Sequence, residues 1–343
     1  MRKREWNRME QSKFLRELGM LLDKGYSVSN ALVLLQLHYQ TYPQYPVKDI
    51  MRELKSGAPL FEVLEGKKIP GDILGCLYFA SEQGRLSFGL LEGSRILLKR
   101  EQLKKMFLRT IRYPLTLLLI LSAMMFFMLR FLIPQFTALF NSVDLSLPTV
   151  TVYLLTVLQM VPYLFYFVMS VGLLLLILYP FTFRKKSPHE QLMIALKVPL
   201  LSHYLRILVT QFFAFQFGHL LKSGLSVSQV LQLFENQNYV RLYQDEALLL
   251  KSDLRKGKAL DEIFRDKHYF LPELAQVVSF GQSNGSLGDE LTLYGEMLFS
   301  NLEERIQRSI YLIQPILFGA IGCLVLILFL SVMGPIFQLF QSL

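Results

Sequence analysis

Three glycines, Gly281, Gly285 and Gly288, have a spacing that superficially resembles a phosphate-binding loop. Such a loop also needs a GKS or GKT sequence, whose lysine reaches the β- and γ-phosphates, and a strand before it. Neither feature accompanies these glycines. We therefore interpret them as part of a turn between helices, and we expect no nucleotide site here.

Other residue types that often carry chemistry are not arranged for it. The five histidines show no HExxH or paired ligand spacing, so a zinc site is not expected. These histidines are His38, His189, His203, His219 and His268. Asp261-Glu262 and Glu303-Glu304 are candidates for a cation site across a subunit interface, although solvated helix faces explain such pairs more often. No Ser–His–acid set can be nominated, and the sequence predicts no catalytic residue, no metal site and no cofactor.

The composition indicates a membrane protein that also has polar domains. Of the 343 residues, 52% are hydrophobic and 18% are charged, and the mean hydropathy is +0.36. This mixture is typical of soluble domains that alternate with apolar spans. Cys76 and Cys323 do not indicate a disulfide framework, because Cys323 lies in an apolar run. No cleavable signal peptide is predicted, so we expect insertion to depend on internal spans.

Three apolar runs are long enough to cross the hydrocarbon core, which takes about 20 residues. Transmembrane helices are predicted at 113–133, 152–183 and 312–333. Arg130 is the one charge in the first run and lies near its end, where a long side chain can reach the interface. The second run is longer than necessary, and Pro162 is a candidate kink within it.

The charges beside these spans predict the topology. Lys and Arg cluster before the first span, after the second and before the third, whereas 134–151 has none. The positive-inside rule then places the N-terminus and 184–311 in the cytoplasm, and the 134–151 loop and the 334–343 tail outside. The net charge of +9 is thus explained by membrane flanks, which also favour contact with anionic membrane lipid. No nucleic-acid-reading signature is present, so no specific nucleic-acid binding is expected.

An internal duplication relates the two halves of the chain. Residues 18–32 read LGMLLDKGYSVSNAL and residues 217–231 read FGHLLKSGLSVSQVL. Further matches join 54–64 to 254–264 and 80–86 to 281–287, and the offset stays between 199 and 201. The matched structural positions are Gly25 with Gly224, Ser27 with Ser226, Gly84 with Gly285, and Pro114 with Pro315. Chance similarity would not maintain this offset, so we infer a direct repeat.

The matched pieces predict a helical hairpin at the start of each repeat. An amphipathic helix ends at Gly25 or Gly224, which suit a left-handed C-cap, and Ser27 or Ser226 can cap the next helix. Strand signals are scarce. The predicted fold is all-α, with two repeated cytoplasmic helical bundles at 1–112 and 184–311 and three transmembrane helices. The unmatched second span returns the chain to the cytoplasm, so that both repeats share one orientation.

These motifs resemble the type II secretion F-domain family. The similarity rests on LGxLLxxGxS at the start of each bundle, on YP and LIQP opening the first and third spans, and on PQF and PIFQLF closing them. It covers nearly the whole chain and both repeats in order. The central segments read ASEQG and GQSNG, and Gln314 stands where the family usually has Glu. No role of the family's carboxylates is therefore carried over to this chain.

The resemblance implies an inner-membrane platform protein of a type II secretion system or type IV pilus. Within the family the chain is most similar to the competence branch of Gram-positive bacteria, which assembles a pseudopilus for DNA uptake. The implied partners are a hexameric motor ATPase, pilin or pseudopilin transmembrane helices, and further copies of the chain in a small homo-oligomer. A non-enzymatic role follows, because without a nucleotide loop the work of ATP hydrolysis must come from a partner.

Three other functions remain open at this point. A transporter or channel component is disfavoured, because the spans hold no buried acid–base pair. A membrane-tethered DNA receptor is a further alternative, for which salt-sensitive binding would be the test. An ATPase is the least favoured, since no phosphate loop is present.

Overall fold

The structure is a computed structural model that describes residues 6–39, 46–142 and 187–342, together with Tyr153, Thr156, Met160 and Ser170. No strand occurs among these residues, so the all-α prediction is confirmed. Apart from those four residues, the predicted second span at 152–183 lies outside the described part, as do residues 143–151 of the predicted loop and the chain's first five residues.

The first half of the chain forms short helices followed by one long helix. They are α1 (Arg8–Asp23), α2 (Val28–Tyr39), α3 (Val47–Lys55), α4 (Leu60–Glu65), α5 (Gly71–Glu82) and α6 (Leu86–Phe127). A π-helical turn at Met128–Leu132 and helix α7 (Ile133–Ser142) follow. Residues 134–142, predicted as part of a loop, are thus helical, because the backbone stays helical through Ile133, the π-helical turn directly before Pro134 accommodates the proline, and no glycine interrupts the segment.

The second half has the same order of short and long helices, preceded by one additional short helix. They are α8 (Pro188–Ala195), α9 (Pro199–Lys222), α10 (Val227–Asn236), α11 (Arg241–Arg255), α12 (Leu260–Arg265), α13 (Glu273–Ser283) and α14 (Leu287–Ser342). Helix α14 contains the end of the predicted bundle, the whole predicted third span and residues 334–342 of the predicted tail. The tail is therefore helical as far as Ser342.

Contacts among the described residues divide the chain into two compact units. The first contains the described residues up to Lys104 and those from Ser187 to Arg305. It contains most of both predicted bundles, without 105–112 and 306–311, although the sequence predicted each bundle as a domain of its own. The second unit takes in the described residues of 105–186 and 306–343. Helices α6 and α14 each contribute residues to both units.

The first unit has two apolar cores that meet through aromatic side chains. One core belongs to the first half and is built on Phe14, Leu18, Leu32, Ile50, Leu64 and Leu77. The other belongs to the second half and is built on Phe213, Phe217, Val230, Phe234, Leu250 and Leu274. Phe79 of α5 lies with its ring 4.5 Å from that of Phe234, and Tyr239 contacts Phe61 at 5.7 Å between ring centroids. Burying such rings stabilises the packing of the two cores against each other.

A close backbone approach and a buried polar contact also join the two halves of the first unit. The Nε2 atom of Gln216 donates to Sγ of Cys76 at 2.8 Å. A Cβ atom on Gly71 would lie 2.5 Å from the carbonyl oxygen of Tyr239, so only glycine fits there. The cysteine is buried, and this burial raises the pKa of its thiol well above the usual value.

The second unit contains the apolar ends of the two long helices. Leu121, Met125 and Met128 pack with Ile321 and Leu328 of α14. By length and composition, Leu86–Gln135 and Leu287–Met333 are each able to cross a membrane. They contain the predicted spans 113–133 and 312–333. In the most apolar 18-residue stretch of each helix, 17% of the residues are buried within the protein, as expected for helices that face lipid.

Candidate functional site

The two repeat hairpins have the same backbone geometry. Gly25 has φ 89° and Gly224 has φ 94°, a left-handed conformation in which a Cβ atom is strained. The N–H of Gly25 donates to the Leu22 carbonyl at 2.9 Å, and the N–H of Gly224 donates to the Leu221 carbonyl at the same distance. Each glycine thus ends one helix and allows the chain to turn into the next.

Serine caps start the second helix of each hairpin. The Ser27 hydroxyl accepts from the N–H of Asn30 at 3.3 Å, and the Ser226 hydroxyl accepts from the N–H of Gln229 at 3.4 Å. The side chain of Gln229 also accepts from the Ser226 N–H at 2.8 Å, which completes a capping box. The two hairpins are therefore fixed by local interactions.

The other positions singled out by the repeat are further along each half. Gly84 and Gly285 have φ 66° and 67° and lie in the turns before the two long helices. Pro114 and Pro315 lie inside α6 and α14, so each long helix continues through its proline. A Cβ atom added at any of the four turn glycines would meet no heavy atom within 4 Å beyond its chain neighbours, so no close packing brings them together.

Two of the three glycines whose spacing resembles a phosphate loop lie where helices pack closely together. A Cβ atom on Gly281 would lie 2.7 Å from Cα of Leu287, and one on Gly288 would lie 2.8 Å from the backbone nitrogen of Lys222. Small residues at these points let α9, α13 and α14 approach closely. Among the described residues, no group of three or more His, Cys, Asp or Glu side chains is placed to hold a metal ion.

One residue of each acidic pair considered as a cation ligand lies beside a basic side chain instead. Asp261 lies 3.8 Å from Arg265, and Glu303 lies 2.5 Å from Lys99 across the two halves of the first unit. A buried carboxylate that the sequence did not single out is Glu246. Its carboxylate accepts from the Tyr269 hydroxyl and lies 3.0 Å from Nζ of Lys267. Such a paired, hydrogen-bonded charge has a structural role.

The two hairpins differ in polarity at two equivalent positions. In the first hairpin Met20 and Leu37 are exposed apolar side chains, and the equivalent residues in the second are His219 and Asn236. His219 packs against the rings of Phe88 and Phe215. Neither of its ring nitrogens has a hydrogen-bond partner among the described residues. Burial, with the nearby charges of Arg85 and Lys222, lowers the pKa of His219 to about 4.

Each half also has an open groove beside its hairpin, at the same positions of the repeat. The first groove has a volume of about 420 Å³ and is lined by Val28, Ser29, Leu32, Met51, Leu54, Lys55, Ala58, Pro59, Leu60, Ser81 and Leu86. The second groove has about 480 Å³ and is lined by Val227, Ser228, Leu231, Lys251, Leu254, Arg255, Lys258, Ala259, Leu260 and Gln282. Cavities of such volume are in the range of ligand sites, ~300–1,000 Å³.

The grooves were not predicted from the sequence, because a turn and several separate helices, five in the first groove and four in the second, contribute to each. A signal was nevertheless present in the two repeat copies. The positions that become Lys251 and Lys258 in the second groove are Met51 and Ala58 in the first. A comparison of the two repeat copies that looked for positions where the charge changes, and not only for identical residues, would have identified these two lysines. Apolar walls with a cationic rim suit the binding of another polypeptide.

Comparison with known proteins agrees with the resemblance seen in the sequence. The model of the family described as Type II secretion system (T2SS), protein F, matches residues 14–134 and again 213–335. The ComG operon protein 2 homolog of Halalkalibacterium halodurans is 30% identical over 93% of this chain and 99% of its own. ComG operon protein 2 of Bacillus subtilis is 27% identical over 93% and 98%. The type IV pilus assembly protein PilC of Thermus thermophilus is 20% identical over 96% and 82%.

These matches explain why both halves carry the same hairpin and the same groove. The relatives span nearly the full chain, and the two long apolar helices agree with a protein of the inner membrane. Since the two segments matched by the family cover most of the 343 residues, the chain belongs to the type II secretion system protein F family.

Proposed function

We propose that this chain is a non-enzymatic membrane platform that couples a cytoplasmic hexameric motor ATPase to the assembly of pilin or pseudopilin subunits. The observation that carries the proposal is the double family match. Each matched segment runs from a helical hairpin into a long apolar helix, α6 in one case and α14 in the other. A platform needs both parts, one to contact the motor and one to contact pilin transmembrane helices.

The proposed architecture has three spans and a direct repeat. The glycines with positive φ among the described residues form three pairs at the repeat offset, namely Gly25 with Gly224, Gly57 with Gly257, and Gly84 with Gly285. This agreement of backbone conformation supports two copies of one cytoplasmic bundle. A second span at 152–183 returns the chain to the cytoplasm, which leaves the N-terminus inside and the C-terminus outside.

The filament is proposed to be a competence pseudopilus that serves DNA uptake. The relatives from Halalkalibacterium halodurans and Bacillus subtilis carry the name of the ComG operon, and both align with nearly all of this chain. A small homo-oligomer in the membrane would present several bundles to a hexameric motor. The lipid-facing surfaces of α6 and α14 would contact membrane lipid, pilin helices or other copies of the chain.

Deletion of the gene tests the proposal. Loss of both surface filaments and transformation is expected, with the same severity as deletion of the motor ATPase, and the wild-type gene supplied in trans restores both. Filaments are measured by immunoblotting of sheared surface material, and transformation by the frequency of marker acquisition. Normal filaments together with normal transformation in the deletion strain would contradict the proposal.

A further inference from the structure

We propose that the second groove binds an acidic peptide segment with an apolar anchor, carried by a cytoplasmic protein partner. The inference rests on the proposed function in one respect, namely that the first unit lies in the cytoplasm. It adds which surface is used and what chemistry the partner segment must have. The first groove is the matched reference, because the repeat places it at equivalent positions of the fold.

The floor of the groove is the same in both halves. Val227, Leu231, Leu254 and Leu260 line the second groove, and the equivalent residues of the first are Val28, Leu32, Leu54 and Leu60. Each position has kept the same residue type. An apolar floor between helices favours an apolar side chain of an incoming helix, as in helix-in-groove recognition. Both grooves can therefore accept an anchor of this kind.

The rims of the two grooves differ in charge. The second groove has three cations, Lys251, Arg255 and Lys258, whereas the first has only Lys55 at its rim. No acidic residue lines either groove. The difference in charge thus lies at the rim, and it makes the second groove complementary to a negatively charged segment.

Two of the three rim cations are available for a partner. Lys251 is held by Glu235 at 2.7 Å, so its charge is largely satisfied within the chain. Lys258 lies 3.7 Å from Asp253, a long and exposed contact. Arg255 is exposed and forms no ion pair with any described residue. Arg255 and Lys258 are therefore the positions at which acidic side chains of a partner would pair.

A polypeptide fits the second groove better than a nucleic acid does. Single-stranded nucleic acids bind on aromatic stacking platforms in cationic grooves. The side chains lining this groove are aliphatic, polar or cationic, with no aromatic ring among them. An aliphatic floor with guanidinium and ammonium groups at its edge instead matches an amphipathic helix with leucine-like anchors and carboxylates beside them.

The test uses the full-length protein in nanodiscs of zwitterionic lipid and a fluorescein-labelled amphipathic peptide of leucine and glutamate. Control peptides replace every glutamate by lysine or every leucine by serine. Fluorescence anisotropy is expected to show saturable binding of the acidic peptide alone. The double variant Arg255→Glu/Lys258→Glu is expected to weaken it about tenfold or more, since each exposed pair changes from attraction to repulsion. The matched variant Lys55→Glu in the first groove should change it less than about twofold.

Three results would overturn the inference: no saturable binding of the acidic peptide, equal binding of either control peptide, or equal weakening by Lys55→Glu and by the double variant. Displacement of the peptide by an equimolar unstructured RNA would also overturn it, because an unspecific anion patch would then explain the binding. Unchanged helicity by circular dichroism shows that the variants are folded. The variant Arg255→Gln removes the charge without reversing it, and it should weaken binding less than the double variant does. The titration needs no motor or pilin. Peptide binding can therefore be absent while the deletion strain still loses filaments and transformation, and peptide binding can be present while the deletion strain keeps both.

Discussion

Substitution of two equivalent glycines tests how closely the helices of the first unit pack. Gly218 in α9 faces α14, where an added Cβ atom would lie 2.5 Å from the backbone nitrogen of Thr292 and 2.9 Å from the carbonyl oxygen of Gly288. Both atoms belong to the backbone of one helix, so neither can move alone. The repeat-equivalent Gly19 faces only side-chain atoms, the nearest being Cγ of Leu91 at 3.0 Å. A leucine side chain can shift by a few tenths of an ångström at little cost.

The expected difference between Gly218→Ala and Gly19→Ala follows from these distances. Both changes gain the same helix propensity, about 1 kcal/mol, so this contribution cancels when the two variants are compared. Forcing a methyl group into a packed helix contact costs about 1–3 kcal/mol, which applies to Gly218 and much less to Gly19. Gly218→Ala should therefore unfold roughly 2 to 12 °C below Gly19→Ala, at about 2–4 °C per kcal/mol.

The assay is thermal unfolding of the purified full-length protein in detergent, followed by circular dichroism at equal heating rates. Trp6, the one tryptophan of the chain, lies 5.3 Å from Phe14 between ring centroids and gives a fluorescence signal for the first half. An unfolding temperature of Gly218→Ala at or above that of Gly19→Ala would refute the packing argument, because it would show that α9 and α14 are not in backbone contact.

Three further predictions concern single residues and use the same unfolding assay. Gly224→Ala should lower the free energy of unfolding by about 1–2 kcal/mol, because φ is 94° there and alanine is strained in this region. Thr210→Val should cost about 1–3 kcal/mol, because the buried N–H of Leu271 loses its acceptor at 2.8 Å. His219 has a folded-state pKa of about 4, below the usual value near 6.5, so the unfolded chain binds the proton first and stability falls from about pH 6.5 towards pH 4. His219→Met, which introduces the residue found at Met20 in the other repeat, should make the unfolding temperature less dependent on pH over that interval.

Much of the local structure could be predicted from the sequence because local interactions determine it. A glycine after an amphipathic run and a serine two residues later are enough to predict a turn at Gly25 and Gly224, where φ is strongly positive. The helical class follows from the scarcity of strand signals. The predicted spans 113–133 and 312–333 lie within helices long and apolar enough to cross a membrane.

The union of the two bundles in one unit could not be predicted in this way. It depends on contacts such as Phe79 with Phe234 and Gln216 with Cys76, between residues far apart in the sequence. No periodicity or motif marks such pairs, because each aromatic side chain could equally complete the core of its own half. The continuation of α6 through Pro114 was likewise missed, since a proline at the start of an apolar run is also compatible with a helix start.

The candidate site was only partly accessible from the sequence. The repeat located the two hairpins, but the grooves beside them combine residues of separate helices. The two grooves differ in charge because Lys251 and Lys258 occupy the positions of Met51 and Ala58 in the other repeat. These changes gain a functional meaning only once the structure places the four residues at the rims of similar grooves. The functional role of a surface charge can be inferred only when the shape of the neighbouring protein surface is known.

Crosslinking from the two hairpins to the motor ATPase tests the central claim most directly. In a Cys323→Ser background, which keeps only the buried Cys76, the exposed equivalents Lys24→Cys and Ser223→Cys are introduced one at a time. A control carries Gln341→Cys in the tail that the topology places outside. Cells are treated with a membrane-permeant thiol-to-amine crosslinker. The platform function predicts a covalent product with the motor ATPase from at least one hairpin and none from the tail. Reaction of both hairpin cysteines with a maleimide label, without any product containing the ATPase, would contradict it.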